Sequence, residues 1–239
     1  MDMMRFGLWL LLACGCTDHT SLAEIQNASL GLHMWDCSDP NVPVGCDHPL
    51  LARFGIGGDG IGSRFSPPCV TLASDVHATI DGDAVGAGYL GGEFEGECED
   101  VIFLHGWDAR PLDVPTSHLV VADGSATFAL DMTRLFGERH VEVVSPTSGL
   151  HPGDHVEAQI VLPTAAEAIE QGSMFVCDGQ CPSYLQSTLT GRTITFDVPA
   201  DATGPIKIGV EVVLAVERCD GPTRCTAGTS VSANLPVLR

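Results

Sequence analysis

The chain carries very little positive charge. Its 239 residues include 11 Lys and Arg against 31 Asp and Glu, which gives a formal net charge of −20, and Lys207 is the only lysine. A protein that binds duplex nucleic acid needs a basic surface that displaces the counterions around the phosphates. The composition therefore excludes nucleic acid as a partner, and it also opposes docking on anionic lipid head groups.

Local motifs of catalysis are missing as well. The sequence contains no GxSxG elbow, no SxxK and no HExxH, which are the patterns that mark the nucleophile or the zinc ion in common hydrolases. It also lacks the CxxC knuckles of strong zinc motifs. A catalytic triad is defined by geometry rather than by sequence position, so a hydrolase with a site built on loops remains the alternative to a non-catalytic protein.

The apolar run at the start of the chain is short. Phe6–Ala13 comprises eight residues, whereas a helix that crosses a bilayer needs about 20. Arg5 precedes this run, and Ala13-Cys14 ends it. A positive residue, a short apolar stretch and a small-residue cleavage site form the layout of an export signal. We therefore predict that residues 1–16 are a signal and an anchor rather than a folded domain.

The end of this signal resembles the lipobox of bacterial lipoproteins. Leu11-Leu12-Ala13-Cys14 has Leu at −3 and Ala at −1, and the resemblance implies cleavage before Cys14, which would carry the lipid. Cys16 is the alternative anchor. Lipidation of Cys16 would leave an even number of other cysteines in the mature chain, eight, whereas lipidation of Cys14 would leave nine. The residue after the anchor would be Gly15 or Thr17, and neither is Asp. By resemblance to lipoprotein sorting, the absence of Asp directly after the anchor cysteine favours an anchor in the outer membrane of the cell envelope.

Ten cysteines in an exported chain indicate disulfides rather than a metal or redox centre. Two pairs, Cys177/Cys181 and Cys219/Cys225, bracket turn residues, which favours pairing between near neighbours. The connectivity stays open, because eight cysteines allow about 105 pairings, and a zinc site is the rival interpretation. The disulfide candidates are Cys37, Cys46, Cys69, Cys98, Cys177, Cys181, Cys219 and Cys225.

Residues 17–68 are predicted to be a polar tether followed by an irregular segment rich in Cys, Gly and Pro. Gly55–Gly60 matches the pattern GxGxxG. A phosphate-binding loop of that kind must lie between a strand and a helix. Pro67-Pro68 follows the glycines and no helical pattern does, so we interpret them as a loop in a segment stapled by disulfides.

From Cys69 onward the pattern is that of strands. Asp123-Gly124 lies between two alternating segments and is a strong hairpin signal. Apolar residues alternate from Ile206 to Val216, a period of two that a helix cannot present. Short strands separated by Gly, Pro and Asp turns predict an all-β protein built from β-sandwiches.

The stretch Val143–Asp154 resembles the opening of bacterial immunoglobulin-like domains. It reads Val-Val-Ser-Pro-x-x-Gly-Leu-x-Pro-Gly-Asp, and the resemblance implies an immunoglobulin-like β-sandwich over residues 139–239. Residues 69–138 are predicted to be a second β-rich domain, so that two small sandwiches follow each other in tandem. Unlike antibody domains, the chain has no core Trp between sheet-bridging cysteines.

An acidic stretch offers the metal candidates. Residues 75–100 hold eight Asp and Glu and no Lys or Arg. If Glu93–Glu99 is extended, its alternate Glu side chains share one face, and carboxylate oxygens are the ligands that calcium prefers. A hydrated surface is the other interpretation, and no other cofactor is expected. The calcium candidates are Asp81, Asp83, Glu95 and Glu97.

Two histidine motifs are predicted to be structural. His151-Pro-Gly-Asp-His155 has the residues of a tight turn at its centre, so its histidines are not on one helical face where they could share a metal. His105-Gly-Trp-Asp108 could hold a ligand, but it more simply ends a strand with Trp107 packed and Asp108 in a turn.

The sequence thus favours a lipid-anchored β-sandwich protein of the cell envelope that acts as a non-catalytic binding or structural module. Its expected partners are the lipid bilayer, through the acyl anchor, and an envelope protein or glycan. The alternative is an envelope hydrolase that acts on glycan or peptide.

Overall fold

A computed structural model describes residues 19–36, 48–62, 68–109, 114–179 and 184–238. Across these residues, regular structure consists of eighteen strands and one short 3-10 turn, Leu22–Glu24. The prediction of an all-β protein is therefore confirmed. Within the same residues no helix is long and apolar enough to cross a membrane.

The first sandwich has the strand order of a constant-type immunoglobulin domain. One layer is β1-β2-β7-β4 and the other is β3-β8-β9, which correspond to the orders ABED and CFG. Strands β3 and β4 pair across a two-residue turn, and β5 and β6 form a separate small hairpin. The strands are β1 (Ser29–Asp36), β2 (Leu50–Gly57), β3 (His77–Ile80), β4 (Asp83–Leu90), β5 (Glu93–Phe94), β6 (Glu97–Cys98), β7 (Val101–Trp107), β8 (Thr116–Ala122) and β9 (Thr127–Thr133).

The core of this sandwich forms from every second residue of each strand, because successive side chains point to opposite faces. Phe54 on β2 and Phe103 on β7 are almost completely buried, as are Leu119 on β8 and Leu130 on β9. Burial of each such side chain stabilises the fold by about 1.5–3 kcal/mol.

The prediction of an irregular segment over residues 17–68 was wrong for two of its parts. Strands β1 and β2 lie within it, and each alternates buried apolar residues with outward residues. Their outward positions hold several glycines, including Gly31 and Gly55. Because glycine is typical of loops, it obscured the alternation of apolar and outward residues that indicates a strand. The first sandwich consequently begins at β1 rather than near Cys69.

The second sandwich repeats the same strand order. One layer is β10-β11-β15-β14, and in the other β16 lies between β18 and the short strands β12 and β13, again ABED and CFG. The predicted alternation from Ile206 is confirmed as β16, although the strand ends at Val213. The strands are β10 (His140–Ser145), β11 (His155–Val161), β12 (Ala168–Ile169), β13 (Phe175–Asp178), β14 (Ser187–Thr190), β15 (Thr193–Asp197), β16 (Ile206–Val213), β17 (Val216–Asp220) and β18 (Arg224–Leu235).

A hairpin of the second sandwich completes the first. Strand β17 pairs with β9, and residues 224–229 of β18 run parallel to β1. The rest of β18 pairs with β16. The hairpin thereby covers both free edges of the first sandwich, edges that would otherwise invite pairing with another chain. A single twelve-stranded sheet results, and it runs through both sandwiches.

A buried ion pair fixes the connection between the sandwiches. Arg139 follows β9 and binds both carboxylate oxygens of Glu167, each at 2.7 Å. Its guanidinium also donates to the carbonyls of Arg134, Leu135 and Gly137. The two side chains are only 4% and 0% exposed, so each charge depends on the other for its stabilisation.

Loss of this pair is expected to weaken the fold strongly. Arg139→Ala leaves the Glu167 carboxylate buried and unpaired, which typically lowers the free energy of unfolding by about 3–5 kcal/mol. The control is Arg218→Ala, which breaks the ion pair between Arg218 and Asp131. Because the Arg218 side chain is 47% exposed, this change should lower the free energy of unfolding by less than about 1 kcal/mol. Urea denaturation measures both values, and equal losses would contradict the account.

Candidate functional site

The candidate site is an open groove on the outer face of the long sheet, where the two sandwiches meet. Strands β16, β18, β1 and β2 lie side by side beneath it. The groove encloses about 540 Å³, within the range usual for ligand sites. Because its strands come from both sandwiches, the groove exists only while β18 holds them together.

Cross-strand register decides which side chains share the groove. Strand β18 contributes outward residues to both sandwiches, since it lies between β16 and β1. The register forms two rows across the strands, one with Val213, Gly228, His33 and Arg53 and the other with Thr226, Gly31 and Gly55.

Glycines make the floor of the groove flat. Inside a strand, glycine has no side chain to pack and weakens the structure. A Cβ added at Gly31 or Gly228 would come no closer than 3.4 Å to another atom, and one at Gly55 no closer than 3.9 Å. These are ordinary contact distances, so packing does not require glycine at these positions. Glycine that the fold does not need is a feature of sites where a ligand approaches the backbone closely.

A polar cluster forms one wall. The Ser230 hydroxyl donates to Oε1 of Glu211 at 2.8 Å, and Nε2 of His33 lies 3.2 Å from the same hydroxyl. Nε2 is also 3.5 Å from Oε2 of Glu211. This second carboxylate oxygen is buried and accepts no hydrogen bond from the described residues. The wall thus presents an imidazole, a hydroxyl and a carboxylate held in fixed positions.

A second carboxylate is held next to the first by a turn that docks on β16. The amide of Glu170 donates to the carbonyl of Glu211 at 2.8 Å. Ser173 supports the turn, because its hydroxyl donates to the Glu170 carbonyl and accepts from the Glu211 amide. Glu170 therefore lines the groove beside Glu211.

The groove is lined by charged groups of both signs. Burial lowers the pKa of His33 below its ordinary value of 6.5, with Arg53 acting in the same direction and Glu211 and Glu170 opposing. The imidazole is therefore neutral at neutral pH. The guanidinium groups of Arg53 and Arg224 also line the groove, and Arg53 is paired with Asp100 at 3.0 Å. A ligand in the groove would therefore meet both carboxylates and guanidinium groups.

Trp35 supplies an aromatic face at one end. It is half-buried on the outward side of β1, two residues beyond His33, and the two ring centroids lie 4.6 Å apart at an interplanar angle of 48°. Val213 lines another side of the groove and is 42% exposed. The groove therefore combines an apolar platform with fixed polar groups, as ligand sites commonly do.

The polar cluster does not have the geometry of a hydrolytic triad. In a triad, the acid binds the ring nitrogen opposite the one that faces serine. Here Ser230 and Glu211 both lie against Nε2 of His33. The Ser230 hydroxyl also gives its hydrogen bond to Glu211 rather than to the imidazole. The arrangement is suited to holding a ligand's polar groups.

Two disulfides join cysteines of the candidate set, and their sulfurs cannot serve as zinc-binding thiolates. They are Cys69–Cys98, which joins the segment before β3 to β6, and Cys219–Cys225, which closes the β17–β18 hairpin. Cys177 is disulfide-bonded. Its predicted partner, Cys181, lies outside the described residues. The same is true of Cys14, Cys16, Cys37 and Cys46.

The condition for a row of glutamates on one strand face is not met, because Glu93–Glu99 is not one extended strand. Glu93 and Phe94 pair with Cys98 and Glu97 in a hairpin, and its turn, Glu95-Gly96, has positive φ at both residues, as a type I′ turn requires. Within the described residues no three His, Cys, Asp or Glu side chains converge to hold a metal ion. Calcium binding at Asp81, Asp83, Glu95 and Glu97 stays a prediction.

The two histidine motifs have the local structure that was predicted, a turn and a strand end. His151 and Asp154 bond each other across a turn in which Gly153 has a φ of 89°, and His155 pairs instead with Asp197 at 2.6 Å. Trp107 ends β7 and packs edge-on against Phe136 at a centroid distance of 5.0 Å.

Sequence reasoning missed the groove altogether. A signal was present, because Leu30–Trp35 and Phe54–Gly57 each alternate apolar residues with glycine or a polar or aromatic residue. What the sequence could not supply is the adjacency of β1, β2, β16 and β18, which brings His33 within bonding distance of Ser230, 197 residues later.

Comparisons with known proteins add little to this geometry. No protein-family profile matches the chain, and no curated protein does. One similar solved structure is the full ectodomain (Ig1–Ig3) of mouse nectin-like molecule 4, with 9% identity and a TM-score of 0.26. The alignment covers 89% of this chain and spans 64% of the ectodomain chain. A similarity this low carries no argument, so the immunoglobulin-like assignment rests on the strand order.

Alanine in the groove floor is expected to leave the fold intact or to strengthen it. Gly31→Ala and Gly55→Ala add a Cβ that meets only ordinary contacts, and alanine is favoured over glycine inside a strand by about 0.5–1 kcal/mol. Gly91→Ala is the control, because its φ is +79° and its Cβ would collide with the carbonyl of Val70. Urea denaturation should show that only Gly91→Ala lowers the free energy of unfolding. Losses at Gly31 and Gly55 would mean that the fold itself requires these glycines.

Proposed function

We propose that this protein is a lipid-anchored, non-catalytic binding module of the cell envelope. The observation that carries the proposal is the groove with a glycine floor at the joint of the two sandwiches. Three glycines there are not required by packing, and they expose strand backbone at the bottom of a cavity of about 540 Å³. A concave site that combines an apolar surface with fixed polar groups is a common form of ligand site.

Export and anchoring are supported by the sequence and the disulfides. Leu11–Cys14 has the lipobox pattern, which favours lipid attachment at Cys14, with Cys16 as the alternative. Two disulfides are formed in the described part of the chain, and disulfides persist in oxidising compartments such as the bacterial periplasm. The proposed location is the outer membrane, with the bilayer as one partner through the acyl anchor.

One observation favours the second candidate, an envelope hydrolase. Ser230 lies 3.2 Å from His33, and two carboxylates, those of Glu170 and Glu211, line the same groove. Catalysis would require the imidazole to accept the serine proton. The present hydrogen bonds direct that proton to Glu211, which is why we place binding first.

Thermal-shift measurements with two classes of soluble probe test the proposal. Neutral trisaccharides and a library of decapeptides are added separately to the wild type and to the Gly31→Ala/Gly55→Ala variant, whose groove floor is raised. Because a ligand that binds only the folded state stabilises it, at least one class should raise the wild-type midpoint and leave the variant's midpoint unchanged. No shift by either class, or equal shifts in both proteins, would contradict the proposal. Probe breakdown that Ser230→Ala abolishes would establish the hydrolase instead.

A further inference from the structure

We propose that the groove binds a short, uncharged segment of glycan, an inference that rests on the proposed binding function. Three properties of the groove support the proposal: its charges of both signs, its flat floor beside an aromatic ring, and its mixture of hydrogen-bond donors and acceptors. A neutral polyhydroxylated ligand suits all three properties.

Charges of both signs in the groove disfavour strongly charged ligands. The carboxylates of Glu170 and Glu211 and the guanidinium groups of Arg53 and Arg224 line the same groove. Arg53 is further engaged by Asp100 at 3.0 Å. A polyanion would meet Glu170 and Glu211, and a polycation would meet Arg53 and Arg224. Like charges in contact oppose binding, so the best ligand carries no net charge.

The flat floor and Trp35 fit the apolar face of a sugar ring. A pyranose ring presents C–H groups on one face, and such a face packs well on an aromatic ring, which provides a large and rigid apolar surface. Trp35 offers this surface at one end of the groove. The glycine floor lets a flat ring come close to the strands without meeting a side chain. The four strands β16, β18, β1 and β2 lie side by side, and the distance from the first to the fourth is about 14 Å. This width is enough for a short oligosaccharide.

The polar groups match hydroxyls, which donate and accept at once. Glu170 and Glu211 offer acceptors, Arg53 and Arg224 offer donors, and Thr226 offers a hydroxyl. A ligand with several hydroxyls can use both kinds of group without leaving a buried polar atom unpaired, which would weaken binding.

An extended peptide fits the groove less well. Peptides that bind sheets add a strand at a free edge, where backbone groups are unpaired. The strands below this groove have no free edge, because β18 lies between β16 and β1, and β1 and β2 are paired on both sides. Their backbone hydrogen bonds are already made within the sheet, so the floor cannot recognise a peptide backbone in this way.

Isothermal titration calorimetry on the full chain, in a detergent without a sugar head group, tests the inference. The probes are chitotriose, cellotriose, maltotriose and mannotriose, with a triuronic acid of the same length as the charged comparison. We expect saturable binding of at least one neutral trisaccharide, at least about tenfold tighter than binding of the triuronic acid. Trp35→Ala and Gly31→Ala/Gly55→Ala should each weaken that binding by about tenfold or more.

The matched control is Gly86→Ala. Gly86 is an exposed glycine on the same outer face of the sheet but outside the groove, and its Cβ would also meet only ordinary contacts. This variant should bind the trisaccharide as the wild type does. Binding that Trp35→Ala and the double variant leave unchanged would overturn the assignment to the groove. If decapeptides bind and no trisaccharide does, the glycan inference fails while the binding function stands. If neither class binds, both fail.

Discussion

Strand β18 is the constraint on which the rest of the structure depends, because it belongs to two sandwiches at once. Its first six residues run along β1 in the first sandwich, and residues 228–235 complete the second by pairing with β16. Two units that would ordinarily be joined by a flexible linker therefore share one continuous sheet. The buried ion pair between Arg139, in the linker after β9, and Glu167 also holds the two units together.

The groove is a consequence of that shared strand. Neither sandwich alone holds the whole site, since His33 and Arg53 come from the first and Glu170 and Glu211 from the second. Ser230, on the part of β18 that pairs with β16, lies between His33 and Glu211. A rigid joint keeps these groups at fixed distances, which spares a ligand the entropic cost of ordering them.

Local sequence signals predicted local structure well. The Asp123-Gly124 hairpin between β8 and β9 and the alternation of β16 are present as predicted, because a turn and a period of two are set by neighbouring residues. The row of glutamates failed because Gly96 closes a hairpin where an extended strand was assumed. The groove could not be predicted, since its residues are assembled from strands far apart in the chain, and register between such strands is not encoded locally.

Hydrogen exchange of the β18 amides tests the central claim most directly. Residues 224–229 of β18 pair with β1, and residues 230–235 pair with β16. If β18 binds the two sandwiches into one cooperative unit, the amides of both segments should be protected from exchange to a similar degree. They should also open together as urea is added. Fast exchange of residues 224–229 beside slow exchange of residues 230–235 would contradict this. It would show that the first sandwich closes without the hairpin, and that the groove is not a permanent feature of the protein.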